Sequence, residues 1–238
     1  MNSQLPEPII TPGDRNVTYT LSVGSEASGY HSPINKNSTN GLVLIQEWWG
    51  LNKSIIKTAD ILAEQGFSVL CPDIYRGKQA IDRETAEHLA DGLDWSDAVH
   101  VIGGAANYLL SKGYKKIGVA GFCMGGALSI AAVCFWGKLF SACAPFYGIP
   151  DMNACNAKKI ACPIYLNFAE LDDVKGFSDP ESARDLEKKL KEAGADVRIK
   201  IWEKAGHGFM NQDSPNYRKE VALLAQEELL EFLKKNLD

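Results

Sequence analysis

Apolar residues in this chain gather into short β-prone runs separated by longer stretches in which they recur at helical spacing. The runs that predict strands are Leu42 to Gln46, Phe67 to Cys71, Lys116 to Ala120, Phe140 to Phe146, Ile164 to Phe168 and Val197 to Trp202. Their nearly unbroken apolar character suits strands covered on both faces. Helices are expected near Lys53 to Gln65, from a cap at Asp94 towards Ser111, from Pro180 through Ala183, Leu186, Leu190 and Ala193, and from Tyr217 to Leu237. Gly66, Gly113 and Gly194 stand where a left-handed residue ends a helix, and Ser178 or Asp179 precedes Pro180, a favoured first helical residue. Before Gly41 the chain is more polar, with an alternating edge strand at Val17 to Val23 and a loop from Gly24 to Asn40.

Strands alternating with helices predict an α/β fold: a mostly parallel twisted sheet with helices on both faces. A length of 238 residues fits one such domain, 1–238. Ligands of these sheets collect at the carboxyl ends of the strands. Chemistry is therefore sought in Glu47 to Gly50, Pro72 to Gly77, Gly121 to Gly126, Ala169 to Asp173 and Ala205 to Phe209.

Between a predicted strand and a predicted helix lies Gly121-Phe-Cys123-Met-Gly125, a G-x-C-x-G pattern that reads as a nucleophile elbow with cysteine in the serine position. A side chain held out on so tight a turn needs neighbours without Cβ atoms, which Gly121 and Gly125 supply. The sulfur there faces the positive end of the following helix, which favours the attacking thiolate. Asp172 and Asp173 follow the strand at Ile164, and His207 follows the next one, in the order nucleophile, acid, histidine. In this arrangement His207 relays the proton while the acid fixes its tautomer. His31, in the polar loop, and His88 and His100, in helical stretches, lack a comparable setting.

Gln46-Glu47-Trp48-Trp49-Gly50, Pro72-Asp73-Ile74-Tyr75, Gly121-Phe-Cys-Met-Gly-Gly126 and Gly206-His207-Gly208-Phe209 occur together and in order. With them the chain resembles the dienelactone hydrolase (carboxymethylenebutenolidase) family, over roughly Gly41 to the C-terminus, and the resemblance implies an α/β-hydrolase fold. It implies Cys123 as nucleophile, His207 as base, Asp172 rather than Asp173 as acid, and Glu47 as the glutamate that contacts the resting cysteine. A carboxylate near the sulfur disfavours the thiolate, so Glu47 is expected to restrain the resting thiol and, once substrate shifts it, to take the thiol proton. The oxyanion hole is expected from the backbone N–H groups of Trp48 and Met124. The resemblance implies no cofactor and no metal.

Family members acting on dienelactone clamp its carboxylate with two arginines. Here Asn211 occupies the second position, four residues beyond His207, and the first falls near Arg76, the candidate carried forward as a substrate contact. Asparagine cannot replace the permanently charged arginine fork, so a neutral or aromatic ester is expected in a pocket lined by Trp48, Trp49, Phe146 and Tyr147. Two rivals remain: a non-catalytic binding protein on the same scaffold, and acyl transfer on another substrate such as a peptide. Against the second, the short segment between Pro145 and Cys162 leaves little room for a large lid.

Charge narrows the partners. The 25 basic and 30 acidic residues give a net charge of −5, which repels a nucleic-acid backbone. Met1 to Pro12 holds no apolar leader, no run is long enough to cross a membrane, and the six cysteines form no C-x-x-C pair, so free thiols in a cytoplasmic monomer or homodimer are expected.

Overall fold

The computed structural model describes residues 14–32 and 38–238; the leader reading at Met1 to Pro12 lies outside them. Eight strands form one sheet in the order β1-β2-β4-β3-β5-β6-β7-β8. They are β1 (Val17–Thr20), β2 (Glu26–His31), β3 (Asn40–Ile45), β4 (Ser68–Pro72), β5 (Lys116–Phe122), β6 (Ala142–Phe146), β7 (Ile164–Ala169) and β8 (Val197–Trp202). From β4 to β8 the neighbours are parallel, while β1 pairs with β2 and β2 with β4 in antiparallel fashion.

Among the described residues, six α-helices cover this sheet: α1 (Lys53–Glu64), α2 (Arg83–Asp91), α3 (Trp95–Ser111), α4 (Met124–Trp136), α5 (Pro180–Glu192) and α6 (Lys219–Leu237). Alternation along the strands sorts them between the two faces. Val43 and Ile45 of β3 and Val119 of β5 join a core with α3, α4 and α5, whereas Leu42, Leu44, Ala120 and Phe122 join one with α1 and α6. Caps agree with the punctuation. Asp94 accepts from the Asp97 N–H, and Asp179, rather than Ser178, caps α5 by accepting from Ser182. Gly66, Gly113 and Gly194 all have positive φ just beyond a helix.

Two expectations need correction. The stretch from Gly24 to Asn40 is not simply a loop, because Glu26–His31 forms β2, which also takes in His31. Its Ser and Gly content hides the strand, yet Gly29 is there for packing: a Cβ at that position would strike the Cys71 carbonyl oxygen on β4. The last helix begins at Lys219 instead of Tyr217, after a turn in which the Tyr217 N–H bonds to Ser214.

The strand order places the site. From β3 the chain steps to β4 on one side and then crosses to β5 on the other, so the carboxyl ends of β3 and β5 flank the reversal point where such sheets form a crevice. Glu47 and Cys123 follow those two strands.

Candidate active site

Cys123 sits at φ 54° and ψ −118°, left-handed backbone that a residue with a Cβ rarely adopts. Close packing holds it there. A Cβ on Gly121 would strike the Gly125 carbonyl, and one on Gly125 would strike the Gln46 carbonyl, so β5, α4 and β3 approach at distances that only glycine permits. The Cys123 N–H bonds to Phe146 O at 3.0 Å, and its carbonyl accepts from Ala127 as α4 begins. A half-buried sulfur thus stands at the N-terminus of a 13-residue helix.

Three distant segments meet at that sulfur. His207 Nε2 lies 3.1 Å from Cys123 Sγ, and His207 Nδ1 lies 2.8 Å from Asp172 Oδ2. Asp172 is buried while Asp173 is exposed. Burial alone would lower the imidazole pKa, but hydrogen bonds to Asp172 and Cys123 outweigh it and raise the group to about 10. The rings of Tyr147 and Phe177 lie 5.1 and 6.2 Å from the imidazole and fix its surroundings.

Ser178, considered from sequence only as a helix cap, belongs to this group as well. Its Oγ donates to Asp172 Oδ1 at 2.9 Å and lies 3.1 Å from His207 Nδ1, and the residue is fully buried. With the Val174 N–H also on Oδ1 at 3.2 Å, the loop after β7 folds around its own carboxylate. That signal is weak in sequence, because a serine six residues past an aspartate is commonplace.

Glu47 departs from expectation. Its oxygens are held by other groups, Oε1 by the Tyr147 hydroxyl at 3.3 Å and Oε2 by Asn211 Nδ2 at 2.7 Å, while the cysteine engages His207. Burial raises the Glu47 carboxyl pKa; the Asn211 bond, the His207 charge and the Tyr147 bond oppose that rise. Glu47 therefore stands beside the sulfur-imidazole pair, anchored by Asn211 in the position expected for a clamp arginine.

Above the sulfur opens a cavity of about 790 Å³ bordered by Cys123, His207, Glu47, Trp48, Trp49 and Met124, among others. Trp48 and Met124 both line it, and Met124, as the first residue of α4, has an N–H that no turn of its own helix can use. The exposed apolar residues Ile81, Trp95 and Val174 form part of its rim.

Arg76 is not a wall of this cavity. It sits at φ 54° in the turn after β4 and is occupied by Asp97, at 2.8 Å, and the Glu26 carbonyl. The cation at the rim is Arg83, the first residue of α2, stacked 5.8 Å from the Trp48 ring centre and paired with Glu87. Sequence reasoning missed it because α2 buries only Ala86 and so carries hardly any apolar period. Tyr147 is likewise displaced from its expected role: it is fully buried behind Glu47, not on the wall of the larger cavity, and Phe146 is buried in the core.

The model of the dienelactone hydrolase family matches residues 28–237. This chain belongs to that family. As a dienelactone hydrolase-like hydrolase it is 33% identical over 183 residues to protein usf of Aquifex pyrophilus, covering 72% of this chain and 77% of that one. It is 28% identical over 204 residues to a carboxymethylenebutenolidase of Pseudomonas putida, covering 81% and 84%. Its fold matches that of a dienelactone hydrolase-like promiscuous phosphotriesterase from metagenomic libraries with a TM-score of 0.76 at 20% identity, over 92% of this chain and 96% of the other. Among the described residues of this family member, no helix is long and apolar enough to cross a membrane, and no cluster of side chains has a metal-binding arrangement.

Proposed function

We propose that the chain hydrolyses small carboxylic esters or lactones through an acyl-cysteine intermediate, with Cys123 as nucleophile, His207 as proton carrier and Asp172 as the acid that orients it. The observation that carries this reading is the continuous contact from sulfur through imidazole to buried carboxylate, at 3.1 and 2.8 Å, opening on a cavity of about 790 Å³.

With the imidazole protonated beside it, the sulfur attacks as a thiolate and forms a C–S bond to the ester carbonyl carbon. The N–H groups of Trp48 and Met124 receive the oxyanion; one such donor is worth about 2.7 to 4 kcal/mol. As the C–O bond breaks, the leaving oxygen takes the proton from His207 Nε2. Water then gives a proton to His207 while its oxygen attacks the acyl carbon, and breaking the C–S bond frees the acid and restores the thiolate.

The favoured substrate carries an apolar or aromatic acyl group, since Trp48, Trp49 and Trp95 line the cavity. Asn211 stands where one of the two positive charges that a dienelactone carboxylate would need is expected, and Arg83 is the one lysine or arginine among the residues lining the cavity. The reading also takes the chain as a cytoplasmic monomer or homodimer whose partner is its small-molecule substrate.

The test compares wild type with Cys123→Ala on activated aryl esters and lactones. The expected result is a burst, an acyl adduct on Cys123 in acid-quenched samples, and loss of both in the variant. Equal rates in the two proteins would overturn the assignment.

A further inference from the structure

On the far side of Glu47 lies a second cavity of about 270 Å³. Its walls come from α1, the start of α6 and the ends of β5 and β6, with Ile55, Thr58, Phe122, Tyr147, Ala222 and Leu223 as representatives. The two cavities have two wall residues in common, Glu47 and Asn211. Those two are joined by the 2.7 Å hydrogen bond from Asn211 Nδ2 to Glu47 Oε2. At its other end Asn211 Oδ1 accepts from the Asp213 N–H at 2.9 Å and from Ser54 Oγ at 3.3 Å.

We propose that this cavity is a leaving-group compartment that takes the small, neutral alcohol portion of the ester, with the Asn211–Glu47 bond as its gate. The proposal rests on the hydrolase reading and extends it to the half of the substrate that departs. Location supports the assignment: His207, which hands its proton to the leaving oxygen, lines the larger cavity together with Asn211 and Glu47, and its charge is felt by Glu47.

Chemistry supports it too. Among the lining residues, neutral amides and hydroxyls (Asn52, Thr58, Gln226) alternate with aliphatic and aromatic carbon, and no lysine or arginine is present to neutralise an anion. Burial favours the uncharged forms of Glu47 and Tyr147, so a neutral alcohol is accommodated where a carboxylate would be left desolvated and unpaired. Size adds a limit. A volume of 270 Å³ corresponds to about nine waters at ~30 Å³ each, enough for a butyl or benzyl group.

The experiment fills the compartment from two directions, with Ala222→Phe in α6 and with Leu223→Trp, whose wild-type side chain is 51% exposed and whose replacement leaves the core packing intact. Methyl, butyl and benzyl esters of one aromatic acid are compared. The expected result is a fall of about tenfold or more in the benzyl-to-methyl ratio of kcat/KM in at least one variant that melts with the wild type. In parallel, fluorine NMR follows 4-fluorobenzyl alcohol, which should bind wild type and Cys123→Ala alike and bind Ala222→Phe about tenfold more weakly. An unchanged ester ratio in both folded variants, or alcohol binding insensitive to Ala222→Phe, would overturn the proposal. Alcohol binding without turnover of any ester would instead overturn the hydrolase reading and leave a neutral-alcohol site standing.

Discussion

The larger cavity holds a sulfur at a helix N-terminus, an imidazole raised to about 10 and a guanidinium at its rim, whereas the smaller one is walled by amides, hydroxyls and hydrocarbon. A carboxyl and an amide, those of Glu47 and Asn211, belong to the walls of both. Reactive groups are thus concentrated on one side of Glu47, with a region suited to neutral groups on the other, and the division depends on which partners hold Glu47 rather than on a wall of backbone. In a hydrolase of this family such a division suits a substrate with two unlike ends.

The largest expected effect comes from removing the imidazole that gives the reactive side its charge. His207→Gln should lower turnover by about a thousandfold or more, because neither the thiolate nor the leaving oxygen would have its proton partner. The same variant should change the pH dependence of stability. A folded-state pKa near 10 against an ordinary 6.5 means that the folded chain holds this proton more tightly, so its stabilisation is complete below about pH 6.5 and disappears as the pH rises through about 10. Urea unfolding should therefore show wild type losing more stability than His207→Gln between pH 7 and pH 10; parallel curves would contradict the raised pKa.

An intermediate effect is expected at Ser178. Removing its hydroxyl takes one hydrogen bond from the buried Asp172 carboxylate and a polar neighbour from His207, and a bond to a charged group is worth about 1.5 to 3 kcal/mol. Ser178→Ala should lower kcat/KM by about tenfold or more, read on methyl esters with a variant that melts with the wild type. An unchanged kcat/KM would reduce Ser178 to a packing residue. The smallest effect belongs to Arg83, whose side chain is 74% exposed and already paired with Glu87. Arg83→Met should lower the ratio of anionic to neutral ester turnover by about two- to fivefold, the scale of an exposed ion pair. A larger drop would mean that the cavity closes around the cation.

Most of the sheet and its covering helices were legible because buried strands and amphipathic helices advertise themselves as short apolar runs and helical spacing. Elements that bury little were not. Strand β2 hides behind serine and glycine, and α2 presents a single buried residue, Ala86. Missing α2 meant placing the basic candidate at Arg76, next to a recognisable motif, when that side chain is tied to Asp97 in a surface turn. Cys123 and His207 were legible by chain order and motif, and Asp172 was separated from Asp173 only by the family resemblance; Ser178 in its bridging role was not legible.

What the sequence determined by itself is the set of residues delivered to the strand ends and the backbone each can adopt, since periodicity and the need for glycine at 121 and 125 are local properties. Only the tertiary structure decided which side chain each functional group meets. Glu47 and Asn211 are 164 residues apart, Tyr147 and Glu47 are 100 apart, and neither pairing follows from spacing. A hydrogen bond between distant side chains depends on strand register and helix packing to within a few tenths of an ångström. That precision exists only after the whole core has closed.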